Sequence, residues 1–141
     1  MKHFLITGAT GFIGQSYVEA LKREDVKITL LSRPKSVKKT KKLFPDIDVI
    51  SVDLEQGISE GLEIQFLETV TDIVHVAGGY DIEMSFEEAY ISNILVSQNL
   101  CQLIKKIKCD YFIDDLDLIL DALPKNMKKQ IPENLHFFLN F

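Results

Sequence analysis

Short apolar runs alternate with helical periodicity along most of this chain. Residues 2–7 (K-H-F-L-I-T), 26–32 (V-K-I-T-L-L-S) and 72–79 (D-I-V-H-V-A-G-G) are rich in β-branched residues and leucine. Such runs suit strands of a parallel sheet buried on both faces. Residues 48–54 alternate into a further strand, and residues 109–113 give a short fifth one. Between the first two runs, residues 14–24 set Tyr17, Val18 and Leu21 on one stripe with Glu19, Lys22 and Arg23 outside, the signature of an amphipathic helix. Ser85-Phe86-Glu87-Glu88 forms a capping box that opens a long helix running to about Lys106, where lysines suit the negative end of the dipole. Residues 62–69 carry a weaker helical pattern with Phe66 and Leu67 inward. The alternation predicts an α/β fold of Rossmann type, a doubly wound parallel sheet with strand order 3-2-1-4-5.

The pattern changes near residues 108–110. We read residues 1–109 as one domain and residues 110–141 as an atypical tail that completes or caps the sheet. In that tail Leu116, Leu118, Ile119, Leu120 and Leu123 predict a short helix stopped by Pro124, and residues 135–141 predict a last strand. Asp114, Asp115 and Asp117 fit a helix N-terminus enriched in acids; the alternative is a divalent-cation site, because carboxylates are hard oxygen ligands. His136 stands between apolar residues and is expected to be structural.

Bulk properties narrow the choices. A chain of 141 residues with 46% hydrophobic and 26% charged residues has the makings of one soluble domain with a real core. A net charge of −5 argues against a nucleic-acid partner, which would call for a basic face. Cys101 and Cys109 are too few for a disulfide framework and lack zinc-site spacing, so both are expected to be small buried apolar residues, and no metal ligands are assigned. The first apolar run, residues 4–6, is too short for a signal peptide, and nothing approaches a membrane span, so the expected location is cytoplasmic.

The chemistry centres on residues 7–14, T-G-A-T-G-F-I-G, directly after the first strand. Gly8, Gly11 and Gly14 stand at G-x-x-G-x-x-G spacing between a strand and a helix. The first permits a tight turn, the second a close approach of backbone to a pyrophosphate, and the third packing of the following helix. That helix points its free N–H groups and positive dipole end at phosphates. Arg33 stands where the second strand ends, the position that meets the adenosine ribose in a dinucleotide fold. An acid there would select NAD, whereas a guanidinium accommodates a 2′-phosphate, so NADP is favoured over NAD. Lys35 and Lys38 are candidate helpers within a basic run, residues 33–42, otherwise read as a solvated helix face. Ala77 and Gly78 would let backbone lie against the cofactor. His75, in mid-strand without an accompanying nucleophile or carboxylate, is read as a packing residue rather than a base.

T-G-A-T-G-F-I-G also resembles the cofactor loop of the extended short-chain dehydrogenase/reductases, the group that includes NAD-dependent nucleotide-sugar epimerases and dehydratases. The resemblance covers about residues 1–108. It implies a cofactor-binding set of Gly8, Thr10, Gly11, Phe12, Ile13, Gly14, Asp53, Leu54, Ala77, Gly78 and Asn93, with Arg33 from the argument above. In that family an acid at the position of Asp53 commonly bonds the adenine amino group; the alternative is that Asp53 caps the next turn. H-V-A-G-G is similar to the family's H-x-A-A/G segment, and Asn93 matches an asparagine that braces the active-site region. The chain departs from the family's N-x-x-G-T pattern by carrying Val96-Ser97.

A larger departure follows the fifth strand. The family presents a Tyr-x-x-x-Lys pair, but the residues four positions after Tyr17, Tyr80, Tyr90 and Tyr111 are Leu21, Met84, Ile94 and Asp115. No catalytic residue is therefore assigned. The resemblance implies a cofactor domain related to enzymes of hydride transfer on nucleotide-sugar-like substrates, with a second chain needed to complete an active site. The alternatives are a non-enzymatic NADP-binding redox sensor, a non-functional fragment, and, least favoured, a phosphatase-like or metal-binding role for the acidic tail.

Overall fold

In a computed structural model, residues 1–57, 67–77 and 83–107 are described in full, and residues 111–114 as backbone. Five parallel strands form the sheet: β1 (His3–Thr7), β2 (Lys27–Ser32), β3 (Asp48–Ser51), β4 (Asp72–His75) and β5 (Tyr111–Asp114), in the order β3-β2-β1-β4-β5. This is the expected doubly wound order. Helix α1 (Phe12–Leu21) joins β1 to β2, and α2 (Val37–Leu43), entered through a 3-10 turn at Pro34–Ser36, joins β2 to β3. The basic run is thus largely helical. The helix that precedes β5 has three parts: α3 (Phe86–Ala89), a π-helical stretch (Tyr90–Leu95) and α4 (Val96–Lys106).

Strand periodicity sorts the core into two layers. Along β1, Phe4 and Ile6 face one way with Leu30 of β2 and Val74 of β4, and pack with Val18 of α1 and Phe44 at the end of α2. Leu5, Leu31 and Ile73 face the other way and pack with Val96, Leu100, Leu103 and Ile104 of α4. Successive side chains of a strand point to opposite faces, so a run of consecutive apolar residues must be covered on both. Each fully buried leucine or isoleucine here contributes roughly 1.5–3 kcal/mol.

Several boundaries differ from expectation. α1 begins at Phe12, two residues early, because Gly11 in extended conformation already serves as its N-cap. β3 stops pairing at Ser51 and β4 at His75, although both chains continue in the same direction: the Val52 amide still donates to the Ser32 carbonyl at 2.9 Å, and the Val76 amide to the Thr7 carbonyl at 3.4 Å. The capping box at Ser85 is formed, with the Glu88 amide donating to Ser85 Oγ at 3.1 Å and the Ser85 amide to Glu88 Oε2 at 2.8 Å. Cys101 is buried, as expected. Residues 62–66 of the helix expected over residues 62–69, Cys109, Gly78 and the tail beyond Asp114 lie outside the described residues. Among the described residues no helix is long and apolar enough to cross a membrane, and no group of acids, histidines or cysteines could hold a metal ion.

Candidate functional site

A cleft of about 840 Å³ opens at the carboxyl ends of the strands, beside the β1–β4 boundary where the strand order reverses. Open α/β sheets bind ligands at this position because the loops leave in opposite directions there. The floor is the β1–α1 loop. Gly8 has φ +74°, and a Cβ on it would lie 2.5 Å from the Ala77 amide nitrogen and 2.7 Å from the Val76 carbonyl oxygen. Only glycine fits both the turn and this approach to β4. Gly14 serves a related end by a different contact than expected: its Cβ would collide with the Gly8 carbonyl, so it packs the helix onto its own loop.

Gly11 differs from both. A Cβ there would meet only the Gly8 carbonyl, at 3.4 Å, so the protein leaves the space over this backbone nearly empty. The loop is tightened by the Gly11 amide donating to the Gly8 carbonyl at 3.1 Å and by Gln15 Nε2 donating to the Thr10 carbonyl at 2.8 Å. No side chain caps α1, and a helix has no intrahelical partners for the N–H groups of its first turn. The side chains of Phe12 and Ile13 point away from the cleft, 89% and 54% exposed. Any part these two residues take in binding falls to their backbone.

The side walls carry contrasting chemistry. On the β2 side, Ser32, Arg33, Lys35, Ser36 and Thr40 line the cleft. Ser32 and Thr40 share a hydroxyl contact of 2.9 Å, Thr40 donates to the Ser36 carbonyl at 2.9 Å, and the Ser36 amide donates to the Arg33 carbonyl at 2.8 Å. The backbone that carries Arg33 is therefore held, while its guanidinium is exposed and has no ion-pair partner among the described residues. Arg33 also borders a smaller recess of about 200 Å³ with Lys35, Asp53 and Glu55. Asp53 Oδ1 accepts from the Glu55 amide at 3.1 Å, a turn built by the aspartate itself, which leaves its second oxygen for other work. Leu54 lines the main cleft, and its carbonyl accepts from Asn99 Nδ2 at 2.6 Å.

The opposite wall was not legible in the sequence. Met84, Glu88, Ile91, Ser92 and Val96 form it, from the start of α3 through the π-helical stretch. Asn93 lies on this stretch but is not among the lining residues; its Nδ2 donates to the Ala89 carbonyl at 3.0 Å, one turn back. The structure thus brings together Gly8, Thr10, Gly11, Arg33, Leu54 and Ala77, sets Asp53 in the adjoining recess, and holds Asn93 behind the wall. Spacing of four from Glu88 to Ser92 to Val96 was the one available signal.

Beneath the cleft lies His75, 1% exposed, with its pKa pushed down to about 4 by burial. Its Nδ1 is 2.6 Å from Thr7 Oγ1 and its Nε2 is 3.0 Å from Ser97 Oγ. At physiological pH it is a neutral, hydrogen-bonded core residue.

Comparison with known proteins bears on this site. Residues 4–114 match the family model described as the NAD dependent epimerase/dehydratase family. An uncharacterized protein of Schizosaccharomyces pombe is 27% identical over 127 residues, covering 79% of this chain and 13% of that protein. Among solved structures, the terminal R domain of the myxalamid PKS-NRPS biosynthetic pathway has a TM-score of 0.68 at 22% identity, covering 81% of this chain and 34% of that one. Gre2 of Candida albicans, solved with NADPH, has a TM-score of 0.66 at 18% identity, covering 81% of this chain and 36% of that one. At these identities the structural likenesses establish the fold. The chain spans well under half the length of each of these proteins.

Proposed function

Because the chain belongs to the NAD dependent epimerase/dehydratase family, we propose that its cleft binds a nicotinamide dinucleotide, with NADP preferred over NAD. The observation that carries this reading is the coincidence, in one cleft, of the open backbone at Gly11 and the exposed cation of Arg33, which has no ion-pair partner among the described residues. The residues fit such a ligand. Gly8, Thr10, Gly11 and the first-turn amides of Phe12, Ile13 and Gly14 would face the pyrophosphate, and Arg33 the 2′-phosphate. Asp53 and Leu54 would meet the adenine, Ala77 and Gly78 the nicotinamide half, and Asn93 would brace the wall. When bound, the cofactor would supply hydride-transfer chemistry. The chain's own residues would hold and orient it. Arg33 suits a phosphate because its planar fork can donate two parallel bonds to one anion.

In the parent reaction, hydride transfer on a nucleotide-sugar-like substrate, a tyrosine and a lysine four positions later would move the proton. These 141 residues contain no such pair, so in that reaction the pair would be supplied from outside them. The same fact favours a second reading, an NADP-binding redox sensor that reports cofactor state without turnover. In either case the site is the same.

Parallel calorimetric titration with NADPH and NADH tests the proposal. NADPH is expected to bind more tightly, and Arg33→Ala to weaken NADPH by roughly ten- to a hundred-fold, the value of one charge-assisted hydrogen bond, while leaving NADH nearly unchanged. Equal losses for both would remove Arg33 from the 2′-phosphate, and binding of neither would overturn the cofactor assignment.

A further inference from the structure

Following the protons around His75 shows that its contacts form one directed line. Ser97 Oγ donates its single proton to the Asn93 carbonyl at 2.7 Å, since a carbonyl can only accept. Ser97 can then take part in the 3.0 Å contact with His75 Nε2 only as an acceptor, so the ring proton is on Nε2. A neutral imidazole has one ring proton, which leaves Nδ1 bare and requires Thr7 to donate to it across 2.6 Å. With its proton committed, Thr7 Oγ1 uses a lone pair to accept the Ala77 amide at 3.3 Å. This one arrangement satisfies all four contacts that join Ala77, Thr7, His75, Ser97 and Asn93.

The line is also well placed. Thr7 and Ala77 line the floor of the cleft, while Ser92 and Val96, the neighbours of Asn93 and Ser97, line the far wall. His75 is not among the lining residues; it sits behind both surfaces and joins them. Thr7 and His75 are register partners on β1 and β4, so the line crosses from the sheet to the helix at the point where the glycine loop departs. Packing alone would be served by an apolar residue of similar size, which would take from the Thr7 hydroxyl the acceptor of its proton.

We propose that His75 is a positioning residue for the dinucleotide cleft, fixing the end of β1 and the π-helical wall relative to each other through this line of hydrogen bonds. The effect on affinity rests on the cofactor reading above, but the coupling between floor and wall does not. Its burial and lowered pKa keep the ring neutral, the form the line requires.

Three measurements on the 15N-labelled full chain decide the matter. Long-range proton–nitrogen correlation is expected to show the His75 proton on Nε2; a proton on Nδ1 would break the line and overturn the proposal. Ser97→Ala is expected to speed hydrogen exchange at the Ala77 amide, on the other side of the imidazole, and Ser97→Thr to restore it. Unchanged exchange in a folded Ser97→Ala protein would reduce His75 to packing. NADPH affinity should fall several-fold in Ser97→Ala and return in Ser97→Thr, and an unaltered affinity in Ser97→Ala would remove the positioning role. Failure of the unaltered chain to bind NADPH would strike the cofactor reading, while tautomer and exchange would still judge the coupling. If Ser97→Ala does not fold, the tautomer of the unaltered chain is decisive.

Discussion

The two ends of the sheet use similar residues to opposite effect. At the amino end of the strands, His3 is buried between Thr69 and Thr29, with Nδ1 and Nε2 each 2.8 Å from a threonine hydroxyl. Around it the end closes: the His3 amide donates to Thr71 Oγ1 at 3.0 Å, Thr71 donates to Asp72 at 2.6 Å, and Lys2 pairs with Asp72 at 3.4 Å. At the carboxyl end, His75 is likewise buried between two hydroxyls, but the surroundings part into a cleft floored by glycine and walled by Arg33 on one side and Ser92 on the other. Both histidines lie on strands against the α4 face. What differs is the neighbouring backbone. The amino end is sealed by side chains that satisfy one another, whereas at the carboxyl end the loops diverge and their residues leave room.

The sharpest way to break this contrast is at Gly8. Gly8→Ala combines positive φ with a Cβ driven into the backbone of Val76 and Ala77. It should cost at least about 3 kcal/mol of stability by denaturant unfolding, beyond the 1–3 kcal/mol typical of backbone strain alone. Gly57 is the control. It also has positive φ, +90°, but none of the described residues lies within 4 Å of its Cβ position, so Gly57→Ala should show only the strain.

A second test separates the histidines. The His75 pKa is lowered to about 4 from 6.5, so the neutral form is favoured on folding. That group's contribution is fully present above pH 6.5 and is lost as pH falls through the folded value near 4. The loss is on the order of 3 kcal/mol, visible as a difference in pH slope between the unaltered chain and His75→Gln. His3 is shifted in the same direction, by burial first and then by Lys27, and opposed by Thr69 and Asp48. Replacing His3 should therefore also flatten the slope over the same side of pH 6.5.

The smallest effect concerns the cleft's far wall. Ser85→Ala removes the capping box of α3, and should cost about 1 kcal/mol with faster amide exchange confined to the first turn.

Much of this molecule could be read from local pattern. Strand order followed from consecutive apolar runs separated by amphipathic helices, because a central parallel strand must be apolar on both faces. The glycine loop and Arg33 were legible because their positions are fixed by the end of a strand. The far wall was not, since which residues of a helix face a cleft depends on its winding, and nothing in the composition of residues 90–95 announces a π-helical stretch. His75 was correctly expected in the core, but its partner Ser97 lies 22 residues away, and no spacing rule connects a strand residue to one turn of a later helix. Asp53 shows a third case: both its local turn and a place beside Arg33 are present in the structure.

The π-helical stretch has a consequence for how this helix could have arisen and how it could be altered. Its i→i+5 bonding accommodates one more residue than an α-helix of the same height, so the extra residue is absorbed within the stretch. Glu88 before it and Ile91 within it line the cleft; after it, Leu100, Leu103 and Ile104 are set toward the core. Deleting a single residue from Tyr90–Leu95 would let the stretch return to ordinary winding with the segments on either side kept in phase, whereas deleting one from the middle of Val96–Lys106 would turn the residues beyond it by about 100°. The helix between Ser85 and Leu100 thus tolerates a shortening at one place only, where a residue more than ordinary winding needs is already stored.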